Sequence, residues 1–252
     1  MLPKVDIVCL VHNKLPVTQG FVKALFAHTS NFRLIFIDNA SSDGTPQYLE
    51  QGKQEGRWEV ASSPVNLGVI RGRNLGATHV ISDFFINIDN DQYVQHGWLE
   101  SLFELMNKGF DLVGPEAWLL LPPKSLGAFV SGETTIADRS YYPIKRCTNI
   151  KDKFSYIGCG GTLLKTEIYK KLGLFDERFN PAYFEDPDYN YRVIQAGYKI
   201  GWQPQCHIIH LAHQTIAHQR LFDKNKQFIK SWEKFREKWS PYYPIFSMEG
   251  VL

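Results

Sequence analysis

The sequence is poor in the features that mark several common protein classes. Its four cysteines (Cys9, Cys147, Cys159 and Cys206) lie far apart and form no CxxC pair. That excludes a disulfide framework and a zinc ribbon, and it suits a reducing compartment. No stretch approaches the roughly 18 consecutive apolar residues of a membrane span. Asp6 falls where a secretory leader would need its apolar region, so the expectation is a cytoplasmic protein. Charge of one sign is also lacking. Twenty-eight Lys and Arg against 26 Asp and Glu leave a formal charge of +2, which argues against a dedicated nucleic-acid partner. What is present is apolar substance: 44% of the 252 residues are hydrophobic and 14% aromatic. A chain of this length and composition buries an ordinary core, in one large domain or two small ones.

Short apolar runs alternate with helical patterns through the first half, which is the signature of an α/β fold. Strands are expected at Val5–Val11, Leu34–Ile37, Trp58–Ala61 and Phe84–Ile88. Phe21, Val22, Leu25 and Phe26 fall at helical spacing, a helix is expected over Gly72–Ile81, and Trp98, Leu99, Leu102, Phe103 and Met106 share one helical face. Residues 115–155 have weaker periodicity and four prolines, so loops, short strands or a flap are expected there. Regular patterning returns with a strand at Thr162–Lys165 and helices at Thr166–Leu172 and Pro187–Ala196. Strands near Tyr198–Trp202 and Cys206–His210 follow. The tail over Asp223–Trp239 spaces Phe228, Trp232, Phe235 and Trp239 by four, three and four.

In open α/β sheets, ligands meet the residues just after the strands. Here those positions carry His12-Asn13, Asp38-Asn39 and Asp89-Asn90-Asp91. One chemistry unites them: a nucleotide diphosphate held through a divalent cation. Asp38 would accept a hydrogen bond from a base edge, Asp89 would meet ribose hydroxyls, and Asp91 would ligate Mn²⁺ or Mg²⁺ shared with diphosphate oxygens. Against this, Asp and Asn after strands also serve as plain turn formers. That bland reading is the one taken for Asp43-Gly44; for Asp89-Asn90-Asp91 both readings stand.

A second cluster is Phe184-Glu-Asp-Pro-Asp-Tyr-Asn-Tyr-Arg192. Asp186 before Pro187 reads as a helix cap, and a capping carboxylate kept ionised by the helix dipole can also act as a general base. Histidines crowd at 207, 210, 213 and 218 without an HExxH motif or a nearby cysteine pair. A strand would turn His207 and His210 to opposite faces. His210 is therefore expected as a single metal ligand, and the others as surface or packing residues. Gly158-Cys-Gly-Gly161 can bring backbone close to a ligand or simply turn the chain. Arg71 and Arg73, near a helix start, can pair with phosphate or serve as surface charge.

Taken in order, these segments resemble the family 2 glycosyltransferases of the GT-A fold over roughly residues 4–215. The matching segments are Val8-Cys-Leu-Val-His-Asn13, Phe36-Ile-Asp-Asn-Ala-Ser-Ser-Asp-Gly-Thr45, Asn66-Leu-Gly with Arg73-Asn74, and the DxD-like Asp89-Asn-Asp91. They continue with Gly160-Gly-Thr-Leu-Leu-Lys165, Leu174-Phe-Asp-Glu-Arg-Phe179, Phe184-Glu-Asp-Pro-Asp188 and Ile208-Ile-His210. The resemblance implies a mixed, mostly parallel Rossmann-like sheet flanked by helices in a single catalytic domain at residues 1–218. Residues 1–95 would bind the nucleotide sugar and 96–218 the acceptor, with an amphipathic helix and tail at 219–252.

It further implies inverting transfer of a sugar from a nucleotide diphosphate donor, a UDP-sugar for preference, to a hydroxyl acceptor on a glycan, a lipid-linked molecule or another compound. Val11, Asn13, Asp38, Asn66, Arg73, Asp89 and Asn90 would line the donor site. Asp91 and His210 would hold Mn²⁺ or Mg²⁺, Asp186 would be the base, and Gly160, Gly161 and Glu185 would face the acceptor.

The pattern also departs from its relatives. The QxxRW motif of processive synthases is absent, so one sugar per encounter is expected, and His12 stands where an aromatic is common. A non-catalytic nucleotide-sugar or glycan-binding protein on the same fold is the alternative, although such a protein has no use for Asp186. A sugar-phosphate nucleotidyltransferase would need a glycine-rich loop where Val11-His-Asn-Lys-Leu-Pro16 has none. The tail, with net charge +3 over residues 223–239, would either pack on the catalytic domain or dock on an anionic membrane; packing is the expectation taken.

Overall fold

Side-chain alternation along β1 (Val5–Val11) builds both faces of a sheet at once. Val5, Ile7, Cys9 and Val11 enter one core while Val8 enters the other, because successive strand residues point to opposite sides. The same division runs through β2 (Phe32–Asn39), with Leu34 and Phe36 opposed to Ile35 and Ile37. In β4 (Phe84–Asp89) it opposes Ile86 and Ile88 to Phe85. A sheet apolar on both faces must be covered on both. This computed structural model describes residues 2–120, 144–147, 155–211 and 221–243.

Within them β3 (Glu59–Ser63) pairs parallel to β2, while β10 (Thr162–Lys165) runs antiparallel between β4 and β6 (Leu112–Gly114). With β11 (Ile200–Trp202) the order is β11-β6-β10-β4-β1-β2-β3, a mixed and mostly parallel sheet. One face is covered by α1 (Leu15–His28), α2 (Thr45–Gln54) and α4 (Trp98–Met106). The other is covered by α3 (Gly68–Ala77), by the helix over Thr166–Leu172, which is α5, by α6 (Glu185–Gln195) and by α7 (Leu221–Trp239). A short pairing of β5 (Gln92–Val94) with β12 (Ile208–His210) stands apart from the main sheet. The strands β7 (Ala117–Leu120), β8 (Ile144–Cys147) and β9 (Ser155–Ile157) form a third, three-stranded sheet. These short strands fall in the stretch expected to hold loops and short strands; the rest of residues 121–154, together with His213 and His218, lies outside the described residues.

The tail helix α7 belongs to the body of the protein. Phe228, Trp232, Phe235 and Trp239 are buried in the same core as α3 and α6, and Phe235 stacks near Phe179, Phe184 and Tyr191. The aromatic stripe is thus covered by protein and is not a face for a membrane. Among the described residues no helix is long and apolar enough to cross one.

Three local readings shift. α3 begins four residues ahead of the expected Gly72 because Asn39 and Asn66 accept hydrogen bonds from Leu67 N and Gly68 N and so start the helix early. α2 follows the turn-rich 38–45 stretch, where no helix is expected, since few of its residues are apolar and its buried positions are Thr45, Leu49 and Gly52. α6 begins at Glu185 with Phe184 in the left-handed region at the cap position. Asp186 is therefore inside the first turn and is not the cap. Pro187 is tolerated there because first-turn N–H groups have no intrahelical acceptor to lose.

At the far end of the sheet from these loops, Asp6 is fully buried and ties three segments together. Arg33 donates to both its oxygens at 2.9 and 2.7 Å, and the N–H groups of Ile81 and Ser82 add bonds at 2.7 and 2.9 Å. Burial pushes the carboxyl up, but Arg33, Ser82 and Ile81 outweigh it and hold the group down at about 2. A lowered carboxyl stabilises the fold above its unfolded value near 3.8 and loses that contribution as pH falls toward 2. The expected result is that Asp6→Asn costs roughly 2 kcal/mol near neutrality. It should also flatten the acid limb of stability between about pH 4 and pH 2. Urea titrations across that range check it; an unchanged acid limb would contradict it.

Candidate active site

The carboxyl ends of β1, β2 and β4 open on one side, and the polar residues after them meet there. Much of their side-chain capacity goes into building the loops. Asn13, itself left-handed at φ 58°, accepts from Ser42 N at 2.7 Å and Asp43 N at 3.3 Å, while its own N–H donates to Ser41 Oγ at 2.8 Å. His12 Nδ1 lies 2.9 Å from the carbonyl of Asn39. A carbonyl only accepts, so Nδ1 carries the proton and Nε2 is left to accept from the Asn13 amide at 3.4 Å. Asn39 is the residue that sequence reasoning left without a role. Its side chain takes Leu67 N at 2.7 Å and donates to Asn66 Oδ1 at 3.1 Å and Gly68 O at 3.2 Å. Asn66 is thereby engaged in fastening the 66–68 turn to β2.

Asp38 is buried and accepts from Ser41 N at 3.0 Å through one oxygen. Val11 is an apolar core residue paired in register with Asp38. Asp43 accepts from Leu15 N and Thr45 N, the turn-forming role expected of it.

After β4 the three polar residues diverge. Asn90 is buried and donates to Thr18 Oγ1 on α1 at 2.9 Å, an internal brace. Asp91 lies 3.4 Å from His210 Nε2, brought there by the β5–β12 pairing that sets Gln92 beside His210. Hydrogen bonding to Asp91 raises the proton affinity of His210 against the opposing effect of burial. Among the described residues no group of three or more His, Cys, Asp or Glu converges as a complete metal cage. A carboxylate and an imidazole nitrogen this close can share one hard or borderline cation whose remaining positions go to phosphate oxygens, so the donor set fits Mn²⁺ or Mg²⁺.

Asp89 is taken up by Arg73. Arg73 Nη2 meets its two oxygens at 2.7 and 3.0 Å, while Nη1 lies 2.6 Å from Cys159 Sγ and 3.6 Å from Glu185 Oε1. Arg73 is 6% exposed, so its charge serves this internal network and does not project from the surface. Burial disfavours the guanidinium charge, but Asp89, Cys159, Asp186 and Glu185 together raise its hold on the proton.

Glu185 is pushed up to about 7, first by burial and then by Asp186, with Arg73 pulling the other way. Burial also pushes Asp186 up, against Arg73 and hydrogen bonds from Cys159. The expectation of a base held ionised by the helix dipole is therefore corrected. Asp186 keeps a raised proton affinity. Arg73 thus links Asp89, at the end of β4, to Glu185 in the acid pair of α6.

Gly160 and Gly161 have packing reasons of their own. A Cβ at Gly160 would collide with Gln92, whose Oε1 accepts from Asp89 N at 3.0 Å, and Gly161 at φ +76° abuts Ile208. Both glycines let the turn lie against the β5–β12 pair beside Asp89 and His210. Among the remaining histidines, His207 is exposed and its carbonyl accepts from Gln95 N.

A mixed α/β sheet with acids gathered at its strand ends and a second acid pair on a facing helix defines the GT-A class of architecture. The chain belongs to glycosyl transferase family 2, whose model matches residues 6–171. The acid pair and His210 lie beyond that match. Solved structures extend the likeness in fold. A mannosyltransferase from Pyrobaculum calidifontis, in complex with GDP-Man and Mn²⁺, is 13% identical, covers 97% of this chain and 68% of its own, and has a TM-score of 0.65. GalNAc-T7 with UDP, GalNAc and Mn²⁺ is 16% identical over 81% of this chain and 43% of its own, with a TM-score of 0.64. Among curated relatives, the pre-mycofactocin glycosyltransferase of Mycobacterium tuberculosis (strain CDC 1551 / Oshkosh) is 25% identical over 161 residues, which is 60% of this chain. This chain spans 32% of that relative's length. An uncharacterized glycosyltransferase of Haemophilus influenzae is 25% identical over 67% of this chain and 76% of its own.

Proposed function

We propose that this chain transfers one sugar per encounter from a nucleotide diphosphate sugar to an acceptor hydroxyl, with inversion and with a divalent cation. The observation that carries the reading is the Asp89–Arg73–Glu185 link, which ties the acid ending β4 to the acid pair opening α6. A protein that only bound the donor would have no use for the second acid pair. The fold neighbours support the donor class, since their structures hold UDP with GalNAc and GDP-Man. UDP is the favoured base carrier here.

Asp38 meets the base with the oxygen not given to Ser41, Asp89 meets the ribose, and Asn13, Asn39 and Asn66 shape the loops that hold the nucleotide. Val11 and Asn90 act from behind as supports. Asp91 and His210 hold Mn²⁺ or Mg²⁺. When bound, the cation supplies positive charge to the departing diphosphate. Asp186 takes the proton of the acceptor hydroxyl as its oxygen forms the new bond to the anomeric carbon. The bond from that carbon to the diphosphate breaks through an oxocarbenium-like state. Attack opposite the leaving group inverts the centre. Glu185, with the turn at Gly160 and Gly161, borders the acceptor side.

The testing experiment is a thermal-shift screen of UDP, GDP, dTDP and CMP with and without Mn²⁺, with Asp91→Ala as control. A ligand that binds the folded state raises the melting temperature by mass action. One diphosphate should stabilise the wild type only with Mn²⁺, and Asp91→Ala should lose that gain. Equal stabilisation in Mn²⁺ and in chelator would remove the metal from the reading.

A further inference from the structure

Asn190 stands one turn beyond Asp186 on α6 and is 2% exposed. A buried amide needs partners for two donor hydrogens and a carbonyl oxygen, and here they come from two parts of the site. Oδ1 accepts from Ile157 N at 3.0 Å and Nδ2 donates to Ile157 O at 2.9 Å, so the side chain pairs with β9 as a strand backbone would. The other Nδ2 hydrogen goes to the carbonyl of Asp186 at 2.8 Å. One side chain thus holds the end of β9 and the backbone of Asp186 together.

Ile157 closes β9, and the chain runs from it directly into Gly158-Cys-Gly-Gly161. The far side of that turn is fixed by β4, whose Asn87 carbonyl accepts from Gly161 N at 2.8 Å. Between the two anchors sits Cys159, with Sγ 2.6 Å from Arg73 Nη1. A guanidinium only donates, so the sulfur accepts from Arg73, and burial keeps the thiol protonated. Hydrogen bonds from Cys159 act on Asp186 together with Arg73 from α3, Asp89 from β4 and its helix neighbour Glu185. We propose that Asn190 is a positioning residue for the transfer reaction: pairing with Ile157 and with the Asp186 carbonyl, it sets the 158–161 turn against the start of α6 and so fixes the acceptor-side turn relative to the base. The kinetic part of this inference rests on the proposed roles of Asp186 and of that turn; the link itself rests on the Asn190 hydrogen bonds.

Two variants of the full chain test it. Asn190→Ala removes every bond of the link. Asn190→Ser is milder, because its hydroxyl can still donate to the Asp186 carbonyl one turn back but is too short for Ile157. In both, kcat should fall about tenfold to a hundredfold, the cost of a base displaced by about an ångström or less. UDP affinity in Mn²⁺ should stay within about threefold, since Asn190 touches none of Asp38, Asp91 and His210. The acid limb of kcat should also move to higher pH, because a turn that drifts from Asp186 withdraws the Cys159 hydrogen bonds that hold its proton affinity down. A lowered melting temperature with kcat and the acid limb unmoved, at a temperature where both variants are folded, overturns the proposal. Hydrogen exchange reads the link without turnover. Amides of residues 155–161 and 185–189 should exchange faster together in Asn190→Ser, and faster exchange in one segment alone also overturns it. If both segments loosen together and the wild type transfers no sugar, the proposed function fails and the link stands. If the wild type transfers sugar and both variants match it in kcat and pH profile, the positioning role fails and the function stands.

Discussion

Asp186→Asn is expected to slow sugar transfer by about 10²–10⁴-fold, the usual contribution of a positioned general base. Donor affinity should stay within a factor of two or three, since Asp186 takes no part in the Asp91–His210 pair. The carboxamide has the same shape as the carboxylate but cannot take a proton from the acceptor, so the loss should appear in kcat and in kcat/KM alike. The environment sharpens this. Burial, with a smaller contribution from Asp89, raises the proton affinity of Asp186 against Arg73 and Cys159, which suits the proposed role of drawing a proton from a hydroxyl. The same raised affinity has a signed consequence for pH. With Asp186 as the proposed base, activity should need its ionised form and fall as pH drops through the titration of the Glu185–Asp186 pair. Single-turnover assays with the mutant and a donor titration by calorimetry separate the two effects. Unchanged turnover would remove Asp186 as the base.

The second large effect concerns stability. Asp188 is completely buried one turn-position beyond the acid pair and is met by Lys238 Nζ at 2.5 Å, Trp239 Nε1 at 2.9 Å and Arg192 Nε at 3.0 Å. Two of these donors come from α7, so Asp188 fastens the tail helix to the first turns of α6. Removing one member of a buried ion network leaves the others uncompensated. Asp188→Ala is therefore expected to cost roughly 3–5 kcal/mol. The lower end of that range is favoured because Lys238 keeps Asp176 at 2.8 Å. Chemical denaturation checks it. A loss below about 1 kcal/mol, the worth of an exposed pair, would mean that α7 is held by its aromatic stripe alone. Because α6 carries Asp186, the destabilised protein should also transfer sugar more slowly at temperatures where it is still folded.

Legibility varied with how local the determining forces are. The strand at Val5–Val11, the helix at Trp98–Met106 and the pair of elements at Thr162–Leu172 stand where their apolar spacing puts them. The strands and the Trp98–Met106 helix bury apolar stripes of their own. α2 was not legible because Leu49 is the one large apolar side chain among its buried residues, Thr45, Leu49 and Gly52. The start of α6 was misplaced by two residues because proline suits several first-turn positions, and only the backbone of Phe184 decides among them.

The candidate site divides in the same way. By itself the sequence determined which chemistry was available: acids and amides after apolar strands, an acid pair opening a helix, and a histidine ending a late strand. Apolar alternation and turn chemistry are written into neighbouring residues, so they can be read without the fold. Which of these groups face one another was decided by tertiary structure alone. Asp91 meets His210 through the pairing of β5 with β12, two three-residue strands too short and too distant in the chain to announce each other. Arg73, readable as a phosphate ligand or a surface charge, proved to be a buried link between Asp89 and Glu185. Asn39, read only as the neighbour of Asp38, proved to hold the turn that starts α3. Such contacts depend on closing long loops and on how the sheet stacks its covering helices, and no short window of residues carries that information.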